Sequence, residues 1–152
     1  MKVREFCSPE TVTAGPAMSL REAALLMRNK HVGALVVTET KGGVAKPVGI
    51  LTDRDIVVAV IAVAGARPEG IRVGDAMATQ LAVAREDEGV YEAVRRMSEH
   101  GVRRLPVVGA DGGLKGIVTL DDVLRVLGTE LAQLGEALRW GRMHEAHKRA
   151  PL

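Results

Sequence analysis

The sequence predicts a mixed α/β (α+β) fold made of two β-α-β-β-α copies of one unit, followed by a C-terminal helical extension. Three observations predict it. The 152-residue chain matches itself: Val3 falls on Val73, Glu22 on Glu92, Met27 on Met97 and Val37 on Val107. Each copy alternates helical stretches of period 3.6 with short strands. Finally, Gly49-Ile50-Leu51-Thr52-Asp53-Arg54-Asp55-Ile56 returns as Gly116-Ile117-Val118-Thr119-Leu120-Asp121-Asp122-Val123, both times an apolar strand running into a helix.

Each copy opens with a short extended piece, Thr11–Thr13 and Leu81–Ala84. A helix follows. In copy one Ser19-Leu20-Arg21-Glu22 is a capping box, and Leu20, Ala23, Ala24 and Met27 form its apolar face. Val90, Ala93, Val94 and Met97 do the same in copy two. Two strands come next as a hairpin: Ala34–Thr38 with Val48–Leu51, and Leu105–Val108 with Leu114–Val118. The second pair is joined by Asp111-Gly112-Gly113, a tight-turn signal. Copy one is longer between Thr38 and Pro47, a Gly- and Lys-rich stretch where insertions are tolerated.

The closing helix of copy one starts at Asp53. Its run of Ile56, Val57, Val58, Val60, Ile61 and Val63 leaves almost no polar face, which predicts burial on all sides. One side covers its own sheet; the other needs the second copy or a second subunit. The segment from Gly65 to Gly70 is the linker. The copies are placed at residues 1–66 and 67–127, with residues 128–152 as the C-terminal helix and a basic tail expected to fray after Trp140. Leu124, Leu127, Leu131, Leu134 and Leu138 form a heptad-like stripe, either packed on the body or used as a self-association seam.

Composition excludes several classes. The hydrophobic share is 47% with one each of Phe, Trp and Tyr, so the core is aliphatic. A net charge of +2 and the lack of aromatic platforms argue against nucleic acid. The longest apolar run is too short for a bilayer, the N-terminus lacks a signal-peptide core, and the lone Cys7 fits a reducing cytoplasm. His144 and His147 share a helix face without a further ligand, so no metal site is expected. No nucleophile or general base has an orienting partner, so no enzyme is expected.

The candidate chemistry lies in the repeated Thr-x-x-Asp. Thr52 with Asp55, and Thr119 with Asp122, stand one turn apart at a helix start. A capping box explains each pair on structural grounds alone. Against that, the box occurs twice, directly after Gly-Ile, where a missing Cβ lets a ligand or another backbone come close. Free N–H groups and a Thr hydroxyl suit phosphate, and a carboxylate suits the two hydroxyls of a ribose. Arg103 and Arg104 precede a strand of copy two and add phosphate-binding forks to the second site. Copy one has Gly33-Ala34 there, so the two pockets should differ. Arg54 is a further candidate.

These residues resemble a tandem pair of CBS domains, the Bateman module, over about Val3 to Leu127. The marks are Gly-Ile-x-Thr-x-x-Asp at Gly49–Asp55 and Gly116–Asp122, and Val-Arg-Arg-Leu-Pro-Val-Val at Val102–Val108; Thr52–Ile56 resembles small stand-alone bacterial members. The resemblance implies copies packed with pseudo-twofold symmetry and a homodimer through their helices. It implies a regulatory, non-catalytic module that needs no cofactor and binds AMP, ADP, ATP or S-adenosylmethionine between the copies. In that pattern Asp55 and Asp122 hold ribose, and Thr52 and Thr119 contact ribose or phosphate. Arg104, with Arg103 and Arg54, meets phosphate, and the backbone near Val12–Thr13 and Ala82–Val83 edges the base. The alternative is a homodimeric interaction module with vestigial pockets.

Overall fold

The structure is a computed structural model that describes residues 1–148, the side chains at 146 and 147 excepted. Two three-stranded sheets carry the two copies. In copy one β1 (Thr13–Ala14) lies parallel to β2 (Ala34–Lys41), and β2 pairs antiparallel with β3 (Val44–Thr52). The helix α1 (Leu20–Lys30) makes the crossover between the parallel strands. Copy one closes with α2 (Asp53–Ile56) and a π-helical turn, Val57–Ile61. After the short α3 (Val73–Ala76), copy two repeats the order: β4 (Ala84–Arg85), α4 (Val90–His100), β5 (Arg104–Val108), β6 (Leu114–Thr119) and α5 (Leu120–Lys148). Irregularities after Val37 and Val107 fall at matching places.

The local signals explain the elements. Ser19 caps α1: its hydroxyl accepts from the Glu22 N–H, and Glu22 accepts from the Ser19 N–H at 2.8 Å. Helix α4 begins at Gly89 with no side-chain cap. Both helices end in a left-handed residue, His31 (φ 54°) for α1 and Gly101 (φ 63°) for α4. Gly112 (φ 75°) turns the second hairpin, where Asp111 accepts from the Gly113 N–H at 2.9 Å. The first hairpin turns later than its sequence predicts, at Gly42-Gly43, so its strands run longer.

Two cores form, and each borrows a residue from across the repeat. Leu20, Ala23, Met27, Leu35, Val37 and Leu51 fill copy one together with Val73. Val90, Ala93, Met97, Leu105, Val107 and Val118 fill copy two together with Val3, backed by Phe6 and Cys7. The segment before each copy thus packs on the other copy. Ser8 and Ile117 exchange backbone hydrogen bonds at 2.9 Å, and Ala78 pairs with Ile50 at 2.9 and 3.2 Å. Burying Val3 and Val73 completely contributes about 1.5–3 kcal/mol each and locks the halves together. Burial also pushes the Cys7 thiol upward, an effect reinforced by the negative charges of Asp122 and Glu86 and opposed by a backbone hydrogen bond; the thiol sits as an apolar wedge.

Three expectations are corrected. Ala24 is exposed, because α1 presents a narrow stripe of Leu20, Ala23 and Met27 to its sheet. The segment from Asp53 is one α-turn and a π-turn, and within the single chain it is not buried on all sides, so of the two covers expected for it the second copy does not supply one. Ile56, Ala59 and Val60 pack on copy one, while Val57 and Ile61 are 53% and 78% exposed. The extended pieces expected at Thr11–Thr13 and Leu81–Ala84 pair with their sheets one to three residues later, at Thr13–Ala14 and Ala84–Arg85. Beyond Gly128 the side chains of α5 are exposed, apart from a half-covered Glu130. The helix runs on through Lys148; of the basic tail, residues 149–152 and the His147 side chain lie outside the described residues. Among the described residues no helix is long and apolar enough to cross a membrane, and no cluster of metal-binding side chains occurs.

Candidate functional site

The glycine before each Thr-x-x-Asp serves backbone contact between the copies. A Cβ on Gly116 would lie 2.5 Å from the Ser8 carbonyl oxygen, and one on Gly49 would lie 2.5 Å from Met77 Sδ and 2.9 Å from the Ala78 oxygen. These are the exchanged segments, so the close approach expected at both glycines belongs to the chain itself. From there each strand delivers its Thr to the rim of a cleft between the copies.

Both boxes close as capping boxes. Asp55 Oδ2 accepts from the Thr52 N–H and hydroxyl, each at 2.8 Å, and the Asp55 N–H donates to Thr52 Oγ1 at 3.2 Å. Asp122 Oδ2 accepts from the Thr119 N–H at 2.9 Å and the hydroxyl at 2.7 Å. The second carboxylate oxygen distinguishes them. Asp122 is 6% exposed, and its Oδ1 accepts from the Arg125 guanidinium. Copy one has Val58 at the matching position, and among the described residues Asp55, which lines a cleft, has no partner for its Oδ1.

Two clefts related by the repeat lie between the copies. The larger, of 390 Å³, joins Thr52, Arg54 and Asp55 of copy one to Ala82, Arg103 and Arg104 of copy two. The smaller, of 240 Å³, joins Thr119 and Arg104 of copy two to Val12 and the Val32–Ala34 loop of copy one. Only the larger falls within the ~300–1,000 Å³ typical of small-molecule sites. Arg103 and Arg104 therefore stand opposite the first Thr-x-x-Asp. The expectation that both serve the second is corrected for Arg103, which borders the large cleft, whereas Arg104 also borders the small cleft beside Thr119. Thr13 and Val83 continue the chain from the walls at Val12 and Ala82.

Asp53, Gln80 and Glu10 also line the clefts and were not singled out from the sequence. Glu10 and Gln80 are equivalent across the repeat, so alignment of the copies was the signal that pointed to them. The pair places a carboxylate in the small cleft and an amide in the large one. Thr11 adds a buried hydroxyl oxygen with no partner at the small cleft's wall. Among the described residues Arg54, Arg103 and Arg104 have no ion-pair partner, so the large cleft carries three uncommitted guanidinium groups beside two carboxylates. Such a site can bind an anion at one end and a hydroxylated group at the other.

The comparisons agree with this architecture. The family profile for the CBS domain matches residues 3–62 and 73–129. The uncharacterized protein MK0525 of Methanopyrus kandleri is 34% identical over 139 residues, which is 91% of this chain and 69% of that one. The CBS domain pair of protein MJ0100, solved in complex with 5′-methylthioadenosine and S-adenosyl-L-methionine, superposes with a TM-score of 0.71 at 28% identity. That match covers 86% of this chain and 98% of the other. The cytosolic domain of the Mg2+ channel MgtE, solved in complex with ATP, gives a TM-score of 0.69 at 30% identity, covering 82% of this chain and 48% of that one. The chain belongs to the CBS-domain family, as a tandem pair of CBS domains.

Proposed function

We propose that this CBS pair is a non-catalytic, cytoplasmic sensor of an adenosyl ligand, and that the large cleft is its principal site. One observation carries the reading: a single cavity holds the free carboxylate oxygen of Asp55 and the unpaired guanidiniums of Arg54, Arg103 and Arg104. Asp55 accepts from the ribose hydroxyls, Thr52 contacts ribose or phosphate, and the arginines take phosphate as bidentate forks. The backbone at Ala82–Val83 borders the base. The small cleft offers Thr119, Arg104 and the backbone near Val12–Thr13, with Glu10 opposing phosphate. Asp122 is held by Arg125 and would have to break that pair to reach a ribose. Similar pairs solved with ATP and with S-adenosyl-L-methionine support the ligand class.

A thermal-shift panel of AMP, ADP, ATP and S-adenosylmethionine tests the reading. A ligand at a hundred times its dissociation constant stabilises the folded state by about 2.7 kcal/mol. The Arg103→Ala, Arg104→Ala double variant should lose the response to AMP, ADP and ATP, and Asp55→Ala the response to every ligand. No shift at millimolar ligand overturns the proposal.

The second reading, a homodimeric interaction module with vestigial pockets, is favoured by the exposed apolar surfaces. Leu25, Val57 and Ile61 border a groove on copy one, and Leu131, Leu134 and Leu138 stand exposed along α5. Association through these helices is compatible with sensing. Sedimentation separates the readings: a dimer that ignores every ligand supports the second alone.

A further inference from the structure

The two clefts share one side chain. Arg104 lines both the large and the small cleft, while Arg54 and Arg103 line the large one only. Register explains this. Arg104 is the cross-strand partner of Thr119, which borders the small cleft, and its loop faces the large cleft. The repeat places Ala34 at the equivalent position, opposite Thr52, where a methyl group offers no donor. Arg104 is half-buried and has no ion-pair partner among the described residues. The small cleft therefore has one cation, and that cation also borders the other site.

We propose that Arg104 is a phosphate-binding group shared between the clefts, so that a phosphorylated ligand in the large cleft weakens binding of a second one in the small cleft. The inference rests on the sensor reading above. A guanidinium engaged as a bidentate fork by one phosphate has less to offer another. Two phosphates flanking one side chain also lie within about a Debye length, ~8 Å at physiological salt, and repel. Glu10 adds to the disadvantage of the small cleft. An uncharged adenosyl ligand makes no demand on Arg104 and escapes the coupling.

Calorimetry on the full chain tests this with AMP and adenosine. The wild type should bind a second AMP weakly. Arg54→Glu with Arg103→Glu, both at exposed positions, disables the large cleft for phosphate and leaves Arg104 to the small one. The remaining AMP site should then be about tenfold tighter than the wild-type second step, although the substitutions add negative charge. Adding Arg104→Ala should abolish the gain, and adenosine should show no gain in any variant. No tightening, equal tightening for adenosine, or a small cleft that binds neither ligand overturns the sharing while leaving the large cleft as a sensor. Absence of AMP binding to the wild type in either cleft sinks the sensor reading itself, and the coupling with it.

Discussion

The two copies carry the same hydroxyl-and-carboxylate box, yet only copy one leaves its acid available. Thr52–Asp55 and Thr119–Asp122 agree in their hydrogen bonds to within about a tenth of an ångström. The difference lies one turn further on, where Val58 stands in copy one and Arg125 in copy two. Arg125, itself exposed, takes the spare oxygen of Asp122, whose carboxylate the body of copy two buries. The loops differ in the opposite sense: copy one supplies Gly33-Ala34 and copy two Arg103-Arg104. Because the Arg103-Arg104 loop borders the helix start of copy one across the cleft, the free carboxylate and the free cations meet in one cavity. A duplicated motif thus marks a fold position twice and leaves an uncommitted carboxylate beside free cations once.

The largest effect should come from closing the gap between the copies. Gly116→Ala drives a methyl against the Ser8 carbonyl, and backbone on that side is pinned by two hydrogen bonds to Ile117. We expect a loss of about 3 kcal/mol, the upper end for overpacking. Gly49→Ala first meets the flexible Met77 thioether and then the Ala78 carbonyl, at 2.9 Å against 2.5 Å for Ser8, and should cost less, about 1–2 kcal/mol. Urea unfolding of both variants checks the order. Equal losses would show that the two contacts are mechanically equivalent.

A smaller effect separates the ends of α1 and α4. His31 occupies a left-handed conformation that copy two gives to Gly101. A residue with a Cβ pays about 1–2 kcal/mol there, and glycine's greater freedom in the unfolded chain returns part of it. His31→Gly should stabilise the fold by about 0.5–1 kcal/mol, and Gly101→Ala should destabilise it by about 1 kcal/mol. Thermal unfolding measures both, and a destabilising His31→Gly would mean that the imidazole makes a contact worth more than the strain.

Much of this was legible in the sequence, and the limits have physical causes. Helices, hairpins and the pair of boxes are local, so propensity, capping and period were enough to place them. The exchange of Val3 and Val73 was invisible, since an apolar residue does not say which core it fills. The meeting of Arg103 and Arg104 with Thr52 was missed for the same reason: proximity in sequence pointed to Thr119, which Arg104 does flank, and the packing across the repeat brought both arginines to Thr52. Apolarity alone also left two covers open for Val57 and Ile61, the second copy or a second subunit. It signalled that the face needs cover without saying that this chain leaves it open.

The smallest expected effect again contrasts the copies, at the start of α1. Glu22 completes a box with Ser19, whereas Glu92 follows Gly89, which has no hydroxyl. Hydrogen bonds from the Ser19 N–H, and then from its hydroxyl, hold the Glu22 carboxyl below the usual glutamate range. A depressed folded-state pKa means that the charged box contributes stability above the ordinary carboxylate value. That contribution fades as pH falls through the lowered one. Ser19→Ala removes the hydroxyl donor, so an NMR titration should find Glu22 moved upward, still short of its ordinary value because the backbone donor remains. The stability gap between wild type and variant should narrow on acidification without closing, since the Ser19 oxygen still accepts from the Glu22 N–H when the carboxyl is neutral. A gap that does not change with pH would assign the cap's contribution to that neutral hydrogen bond alone.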